Sequence, residues 1–350
     1  MIHPSVFHTA LWIALAGVAH VSPIHAEVTA EQRAKAAGRT LVGRAAPKLV
    51  LSSIDGQTID LGEFYGKKAV YLKFWATWCV PCRQQMPHFQ HVYETAGADL
   101  AVIAINVGFN DSIEAIRAYR KQLGISMPIV FDDGTLASAF HLRVTPTHIV
   151  IGRDGRIQYV GHLADAALDA SLSAARIPES RDGARSAEQK ADDPPPVNVG
   201  DRLPAGTLRT LDGRRFAFRQ GAHPRRLTAL AFISPWCESY LAATRPSTSA
   251  NCRNARMQIG ELAADPRVRW LGIASGLWAD EDDLKAYRTE SKVRIPLTLD
   301  SSGKIFRTFR VNEVPTIVVA DADGRVLRRI DAGTTADAAA LRAAITRDDP

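Results

Sequence analysis

The chain has 350 residues, of which 46% are hydrophobic and 23% charged, and its formal net charge is +6. This composition is ordinary for a globular protein and excludes a mostly disordered chain or a collagen-like fibre. Four cysteines are too few for a disulfide framework, so they are structural singles, metal ligands or redox groups. The basic residues are scattered along the chain, which argues against nucleic acid as a partner. At roughly 100–200 residues per domain, the length predicts two domains.

The N-terminal segment has the layout of an export signal. An apolar run of about 13 residues, 9–21, is shorter than the roughly 20 that a membrane-spanning helix needs, and Ile24-His25-Ala26 follows it as an acceptable cleavage site. We predict a signal peptide over residues 1–26, with cleavage favoured over an uncleaved anchor or a buried helix. Residues 27–42 read as a short polar leader, with a helix as one option. No later stretch is apolar enough for a stable membrane span.

The rest of the chain repeats itself. Asp55-Gly56 recurs as Asp212-Gly213, and Trp78-Cys79 recurs as Trp236-Cys237. The offset grows from 157 residues to 169 by the repeated proline, Pro146 and Pro315. We therefore predict one domain over 43–175 and a second, divergent copy over 200–350 with an insertion after its Trp-Cys pair. The proline-rich segment 176–199 has too few large apolar residues to fold alone and is predicted to be a linker.

Within the first copy the pattern alternates between strands and helices. A hairpin over 49–61 turns at Asp55-Gly56, and the apolar runs 69–75 and 100–107 have the character of buried parallel strands. Helices are predicted over 79–96, 112–123 and 164–175, and shorter strands over 129–131, 147–151 and 157–160. The fold class is therefore α/β, with a central mixed sheet flanked by helices, present twice in tandem.

The clearest chemical signal is Trp78-Cys79-Val80-Pro81-Cys82, which ends a buried strand and opens a helix. Two cysteines at this spacing can close a small disulfide ring. Cys79 would face the unpaired N–H groups and positive dipole end of the helix, which stabilise a thiolate. The alternative, half of a zinc site, needs two more ligands at similar spacing, and none follows. The pattern therefore indicates thiol–disulfide exchange, with the redox-active disulfide itself in place of a cofactor and no metal.

Together with Thr145-Pro146 ahead of a later strand, this motif resembles the TlpA/ResA-like branch of the thioredoxin superfamily over residues 43–175. The resemblance implies that Cys79 is the exposed nucleophile and that Cys82 resolves the mixed disulfide. It also implies that Pro146 is cis and lies beside the disulfide, with Thr145 offering backbone groups to an extended substrate. The implied function is an exported thiol–disulfide oxidoreductase that reduces disulfides of periplasmic client proteins and is recycled by a membrane thiol reductase.

Two positions depart from the family pattern. Lys73 occupies the place of a buried acid on the strand before the motif, and Gln85 replaces a glutamate that often follows the second cysteine. Two interpretations of Lys73 stay open: its ammonium favours the thiolate of Cys82, or its side chain extends to the surface.

The second copy keeps Trp236 and Cys237, but Tyr240 stands where the second cysteine belongs. The next cysteine, Cys252, follows the insertion 241–251 and opens an amphipathic helix. Cys237 and Cys252 are either a structural disulfide or a second redox pair with a separated resolving cysteine. Pro315 repeats the cis-proline position, so the peptide-binding geometry is expected to persist.

Two further functions compete with the leading hypothesis. One is a redox or copper chaperone whose second copy recognises a client, since two cysteines and a histidine can bind copper. For the histidines of the first copy, surface exposure or core packing is the simpler interpretation. The other is a thiol peroxidase centred on Cys237, although the usual residues ahead of a peroxidatic cysteine are not matched.

Overall fold

The computed structural model describes residues 29–177, 195–219, 226–331 and 341–343. The predicted signal peptide and most of the predicted linker lie outside the described residues. The described residues form two five-stranded sheets, each with its own helices and an antiparallel hairpin. We call residues 29–177 the first unit and the described residues from 195 onward the second unit.

The first unit has a mixed sheet in the order β5-β4-β3-β6-β7. Strands β3, β4 and β5 are parallel, whereas β6 is antiparallel to β3 and β7 is antiparallel to β6. The elements are α1 (Ala30–Leu41), β1 (Val50–Ser52), β2 (Thr58–Asp60), β3 (Ala69–Trp75), α2 (Val80–Glu94), β4 (Leu100–Asn106), α3 (Ile113–Leu123), β5 (Ile129–Phe131), α4 (Thr135–Ala139), β6 (Thr147–Ile151), β7 (Ile157–Gly161) and α5 (Ala166–Ala175).

The second unit repeats this arrangement in the order β12-β11-β10-β13-β14, with the same parallel and antiparallel pairings. The elements are β8 (Thr207–Arg209), β9 (Arg215–Ala217), β10 (Leu227–Ile233), α6 (Cys237–Tyr240), α7 (Pro246–Leu262), β11 (Val268–Ser275), α8 (Glu281–Glu290), β12 (Leu297–Asp300), α9 (Lys304–Thr308), β13 (Thr316–Ala320) and β14 (Val326–Asp331). The predicted fold class, a mixed sheet flanked by helices and present twice, is confirmed.

The central strands β3 and β10 explain why the chain folds this way. Every residue of β3 is buried, because helices cover both faces of a sheet whose middle strand has neighbours on both edges. Strand β10 is buried except at its last residue, which is partly buried. A continuous apolar run of seven residues therefore marks the centre of each sheet, and the redox motif follows directly where β3 ends.

The sequence pattern does not predict two short helices, both of which depend on a repeated aspartate. Asp132 accepts hydrogen bonds from the backbone N–H groups of Leu136 and Ala137 at 2.9 and 2.8 Å and so holds the start of α4. Asp300 holds α9 in the same way. Burial raises the pKa of Asp132 to about 7 and also raises that of Asp300. Helices of five residues leave almost no periodic pattern, so the aspartates were the available signal.

One option that the sequence left open is settled, and one prediction needs correction. The polar leader is an ordered helix, α1, whose start is capped by Thr29 and Gln32. The helix expected to begin at Cys252 begins at Pro246 instead, because proline is favoured in the first turn of a helix. Cys252 consequently lies inside α7, and the second half of the predicted insertion loop is helical.

Candidate active site

Cys79 and Cys82 lie where β3 gives way to α2. Cys79 is the N-cap of α2, and its Sγ accepts a hydrogen bond from the backbone N–H of Cys82 at 3.2 Å. The two cysteines form a disulfide with Cα atoms 5.2 Å apart. Pro81 lies in the first turn of the helix, where its missing N–H leaves no hydrogen bond unmade. The first sulfur therefore accepts a backbone N–H at the positive end of α2, which is the environment that stabilises a thiolate.

The segment ahead of the cysteines is fixed by the loop after β4. The indole nitrogen of Trp78 donates to the carbonyl of Phe109 at 2.7 Å. The buried carboxylate of Asp111 accepts from the backbone N–H and the hydroxyl of Thr77 at 2.8 and 2.6 Å and from the side-chain amide of Asn106 at 2.8 Å. These contacts hold the motif rigid on two sides, and neither Asp111 nor Asn106 was singled out from the sequence.

The loop that carries Thr145 and Pro146 lies at the same edge of the sheet. The peptide bond between them is cis, and Phe74 pairs with Thr147 across β3 and β6, so the residues that follow β3 and those that precede β6 are neighbours. The ring Nδ1 of His162 donates to the carbonyl of Pro146 at 2.7 Å and so holds the loop from behind. Thr145 itself is fully buried.

Lys73 does not reach the surface, so that interpretation of its side chain is wrong. Its relative exposure is 0%, and its Nζ has no hydrogen-bond partner among the described residues. The nitrogen lies 5.3 Å from the ring centre of Phe89, a cation–π contact that stabilises the charged form only in part. Burial lowers the pKa of Lys73 to about 7, because the charged form loses its water.

A buried chain of hydrogen bonds runs beside Lys73 and ends behind Pro146. Lys73 pairs in register with His148 on β6. The ring of His148 bonds the hydroxyl of Tyr71 through Nδ1 at 2.6 Å and the side-chain oxygen of Gln85 through Nε2 at 2.7 Å. The amide nitrogen of Gln85 donates to the carbonyl of His162 at 3.1 Å.

The position of the proton on His148 follows from these contacts. The carbonyl of His162 can only accept, so Gln85 must turn its amide nitrogen toward it and its oxygen toward His148. Nε2 of His148 therefore carries the hydrogen, and Nδ1 accepts from Tyr71. Burial, reinforced by the positive charge of Lys73, lowers the pKa of His148 well below its usual range. The groups in this chain of hydrogen bonds are therefore uncharged. The sequence signal for it was a histidine inside a buried strand.

In the second unit Cys237 and Cys252 are also disulfide-bonded, with Cα atoms 6.3 Å apart. Cys237 begins α6 and is fully buried, while Cys252 on α7 is 8% exposed. Sγ of Cys252 lies 3.7 Å from the carbonyl oxygen of Val314, the residue before the second cis-proline, Pro315. The structure therefore brings the separated pair together next to Pro315, at the counterpart of the first site.

The expectation that Cys79 is exposed is wrong for this structure. Cys79 and Cys82 both have a relative exposure of 0%, and residues of the second unit lie over the motif. A cleft of about 540 Å³ borders Cys79, and Thr244 and Arg245 of the second unit form part of its wall. The ring of Trp236 packs against Trp78 with centres 5.1 Å apart.

Comparison with known proteins places the first unit in a family. Residues 42–160 match the AhpC/TSA family. The thioredoxin-like protein YneN of Bacillus subtilis is 32% identical over 133 residues, which cover 37% of this chain and 78% of YneN. The chain belongs to the thioredoxin-like AhpC/TSA family. The resemblance stated from the Trp-Cys-Val-Pro-Cys motif and Thr145-Pro146 is thereby confirmed.

Other relatives of this chain have names that describe redox chemistry. The thiol-disulfide oxidoreductase ResA of Halalkalibacterium halodurans is 36% identical over 117 residues, which are 33% of this chain and 65% of the length of that relative. A thiol:disulfide interchange protein of Chlorobium tepidum has a solved structure that is 28% identical, with a TM-score of 0.35, and the match covers 38% of this chain and 97% of that one. The family match ends at residue 160, before the second unit.

Two other kinds of site are absent from the part of the chain that the structure describes. In it, no helix is long and apolar enough to cross a membrane. Over the same residues, no group of three or more histidine, cysteine, aspartate or glutamate side chains is arranged to hold a metal ion.

Proposed function

We propose that this protein is an exported thiol–disulfide oxidoreductase that reduces disulfides of periplasmic client proteins through Cys79 and Cys82. The observation that carries the proposal is the Cys79–Cys82 bond at the N-terminus of α2, on the same sheet edge as a cis-proline loop. The names of the ResA relatives support the same chemistry.

The reaction is an exchange of one disulfide for another. The Cys79 thiolate attacks a sulfur of the client disulfide, forms a mixed disulfide and expels one client thiolate. Cys82, as a thiolate, then attacks Sγ of Cys79, restores the Cys79–Cys82 bond and releases the second client thiolate. Two electrons pass from the protein dithiol to the client, and each released thiolate takes a proton. A dithiol donor must return two electrons, and a membrane thiol reductase is the donor that the resemblance implies.

The buried chain around Lys73 has a supporting role in this proposal. With a pKa of about 7, Lys73 is present in both protonation states near neutral pH, unlike an ordinary lysine. We expect the pKa values of the Cys79 and Cys82 thiols in the reduced protein to change in a Lys73→Met variant. An unchanged titration of both thiols would remove Lys73 from the redox chemistry.

The proposal is tested by insulin reduction with a thiol donor, using the full chain and three variants. We expect turnover to be lost in Cys79→Ser, and Cys82→Ser to accumulate a mixed disulfide with insulin. The matched control, Cys237→Ser with Cys252→Ser, is expected to keep turnover. Loss of turnover in that control alone would contradict the proposal and favour chemistry at Cys237. Stoichiometric copper binding by a reduced protein that does not turn over insulin would favour the chaperone alternative.

A further inference from the structure

The two units meet through equivalent parts of their folds. The backbone N–H of Asn110 donates to the carbonyl of Asn312 at 2.7 Å, and the backbone N–H of Trp278 donates to the carbonyl of Arg143 at 2.8 Å. Asn110 and Trp278 both have positive φ, 49° and 61°. The numbering differs by 168 between Asn110 and Trp278 and by 169 between Arg143 and Asn312, the same offset as the later part of the sequence repeat.

Each of these hydrogen bonds from one unit to the other thus has an equivalent bond that runs in the opposite direction. This is the pattern of a two-fold dimer interface, in which residue i contacts j and j contacts i, built here within one chain. The tryptophan that precedes the first cysteine of each unit follows the same rule. Trp78 donates to Phe109 in its own unit, Trp236 donates to Leu277 in its unit at 3.0 Å, and the two rings pack against each other.

Tyr240 completes the aromatic centre of this interface. Its ring lies 6.1 Å from Trp78, 6.0 Å from Trp236 and 5.9 Å from Trp278, measured between ring centres. Tyr240 is the residue that replaces the second cysteine of the motif in the second unit, so that a position expected to carry redox chemistry instead carries a large side chain directed at the first unit.

The second unit also bonds polar groups of the two loops that carry Cys79 and Thr145. The backbone N–H of Val80 donates to the hydroxyl of Tyr240 at 3.4 Å. The hydroxyl of Thr145, the residue before the cis-proline, accepts from the indole nitrogen of Trp278 at 3.1 Å. Arg245 donates to the hydroxyl of Thr77 and lies 3.3 Å from Asp111.

The leader helix holds the arrangement from a third side. Helix α1 packs on β7 of the first unit, where a Cβ at Gly38 would lie 3.1 Å from Cβ of Val160. From there Arg33 reaches the second unit and pairs with Asp280 at 3.0 Å and Asp283 at 2.7 Å. The Arg33 side chain is 10% exposed, whereas the side chains of Asp280 and Asp283 are 39% and 30% exposed, so these two ion pairs are partly shielded from water.

We propose that the second unit is a resident cap on the client-binding face of the first, and that a client reaches Cys79 only when the cap moves away. The cap occupies the positions that a client would take beside Cys79 and Thr145. The identity of that face as client-binding rests on the proposed function. A resident partner lowers the apparent affinity for clients by the fraction of time that the face is free.

The test measures how fast Cys79 reacts with iodoacetamide in mildly reduced, full-length protein that carries Cys82→Ser. Mass spectrometry measures the labelling of each cysteine. The opening variant is Tyr240→Ala with Trp278→Asn. Asparagine is the residue at the equivalent position of the first unit, and it tolerates positive φ. The rate is taken at its high-pH plateau, so that a change in access is separated from a change in thiol pKa. We expect the plateau rate to rise at least about tenfold.

A matched control separates opening from loss of stability. Phe216 is a buried aromatic residue of the second unit that stacks on Arg269, 4.5 Å from the ring centre, and lies on the hairpin strand β9. Phe216→Ala should destabilise the second unit without touching the interface, and we expect Cys79 labelling within about twofold of the parent. No rise in the opening variant, or an equal rise in Phe216→Ala, would overturn the cap. If Cys252 in the double variant is labelled as fast as Cys79, the single variant Trp278→Asn decides instead. We expect its plateau rate of Cys79 labelling to rise several-fold, and no rise would overturn the proposal.

Insulin turnover of the same opening substitutions in the chain with intact Cys82 distinguishes this proposal from the proposed function. Faster labelling without insulin turnover in any variant would leave the cap standing and contradict the reductase. Turnover that requires Cys79, combined with unchanged labelling, would leave the reductase standing and contradict the cap.

Discussion

Replacing Lys73 by methionine should stabilise the first unit, and by more at low pH than at high pH. The side chain is fully buried, its nitrogen has no hydrogen-bond partner among the described residues, and its pKa falls from 10.5 to about 7. Between these two pH values the unfolded chain binds more protons than the folded protein, so the folded state gains stability as the pH rises. Methionine has a similar length, carries no charge and fits an apolar site.

The size of the effect follows from the pKa shift. A depression from 10.5 to about 7 corresponds to about 5 kcal/mol of destabilisation when the lysine is charged in the folded state, at 1.36 kcal/mol per unit. The same linkage gives about 5 kcal/mol near pH 6 and about 2 kcal/mol near pH 9. The difference between the two, about 3 kcal/mol, is the quantity to measure, because packing differences between lysine and methionine cancel from it.

The assay is pulse proteolysis in urea on the oxidised protein at pH 6, 7.5 and 9, read by mass spectrometry of peptides from β3 and β6. This reports the opening of the first unit rather than of the whole chain, which need not unfold in one step. Lys67→Met is the matched control. Its side chain is 66% exposed beside Glu63, so a change within about 0.5 kcal/mol is expected. A stabilisation by Lys73→Met that is the same at all three pH values would refute the reasoning, because it would mean that Lys73 keeps an ordinary pKa in the fold.

Two further substitutions probe the surroundings of the site. Tyr71→Phe removes the hydroxyl that bonds His148 at 2.6 Å and should lower the free energy of unfolding by about 1–3 kcal/mol, measured by the same assay, since a buried nitrogen loses its partner. No loss would contradict the buried hydrogen bond. Gly108→Ala should cost more than about 3 kcal/mol, because φ is +65° and a Cβ would lie 2.1 Å from the carbonyl oxygen of Asp132. At Gly56, φ is +82° and an added Cβ would have nothing within 4 Å, so Gly56→Ala should cost only about 1–2 kcal/mol. Equal losses of stability at both glycines would exclude the clash as the cause.

Much of the fold could be predicted from local sequence. The apolar run of β3 and the Asp55-Gly56 turn each specify their own structure, because burial on both faces and a tight turn leave few other residue choices. The repeat then carried the same architecture to the second copy. Helices α4 and α9 escaped prediction because a five-residue helix depends on a distant carboxylate for its start rather than on its own periodicity.

The candidate site divides in the same way. Cys79, Cys82 and Pro146 could be named from spacing and resemblance, since the chemistry of a disulfide at a helix N-terminus is local to the motif. Whether Lys73 was buried could not be read from the strand, because every side chain of a central strand faces a helix layer that only the packed structure supplies. His148 and Asp111 were not identified as supports, since their partners lie on other elements.

The sequence by itself determined that the four cysteines fall into two pairs at corresponding places in two copies of one fold, because that requires only the repeat and the spacing within it. Only the tertiary structure decided that Cys237 and Cys252 are joined and that Cys79 is buried. The first required α7 to bring Cys252 back beside Pro315. The second arises from contacts between the two units, such as those of Tyr240 and Trp278, which no pattern along the chain records.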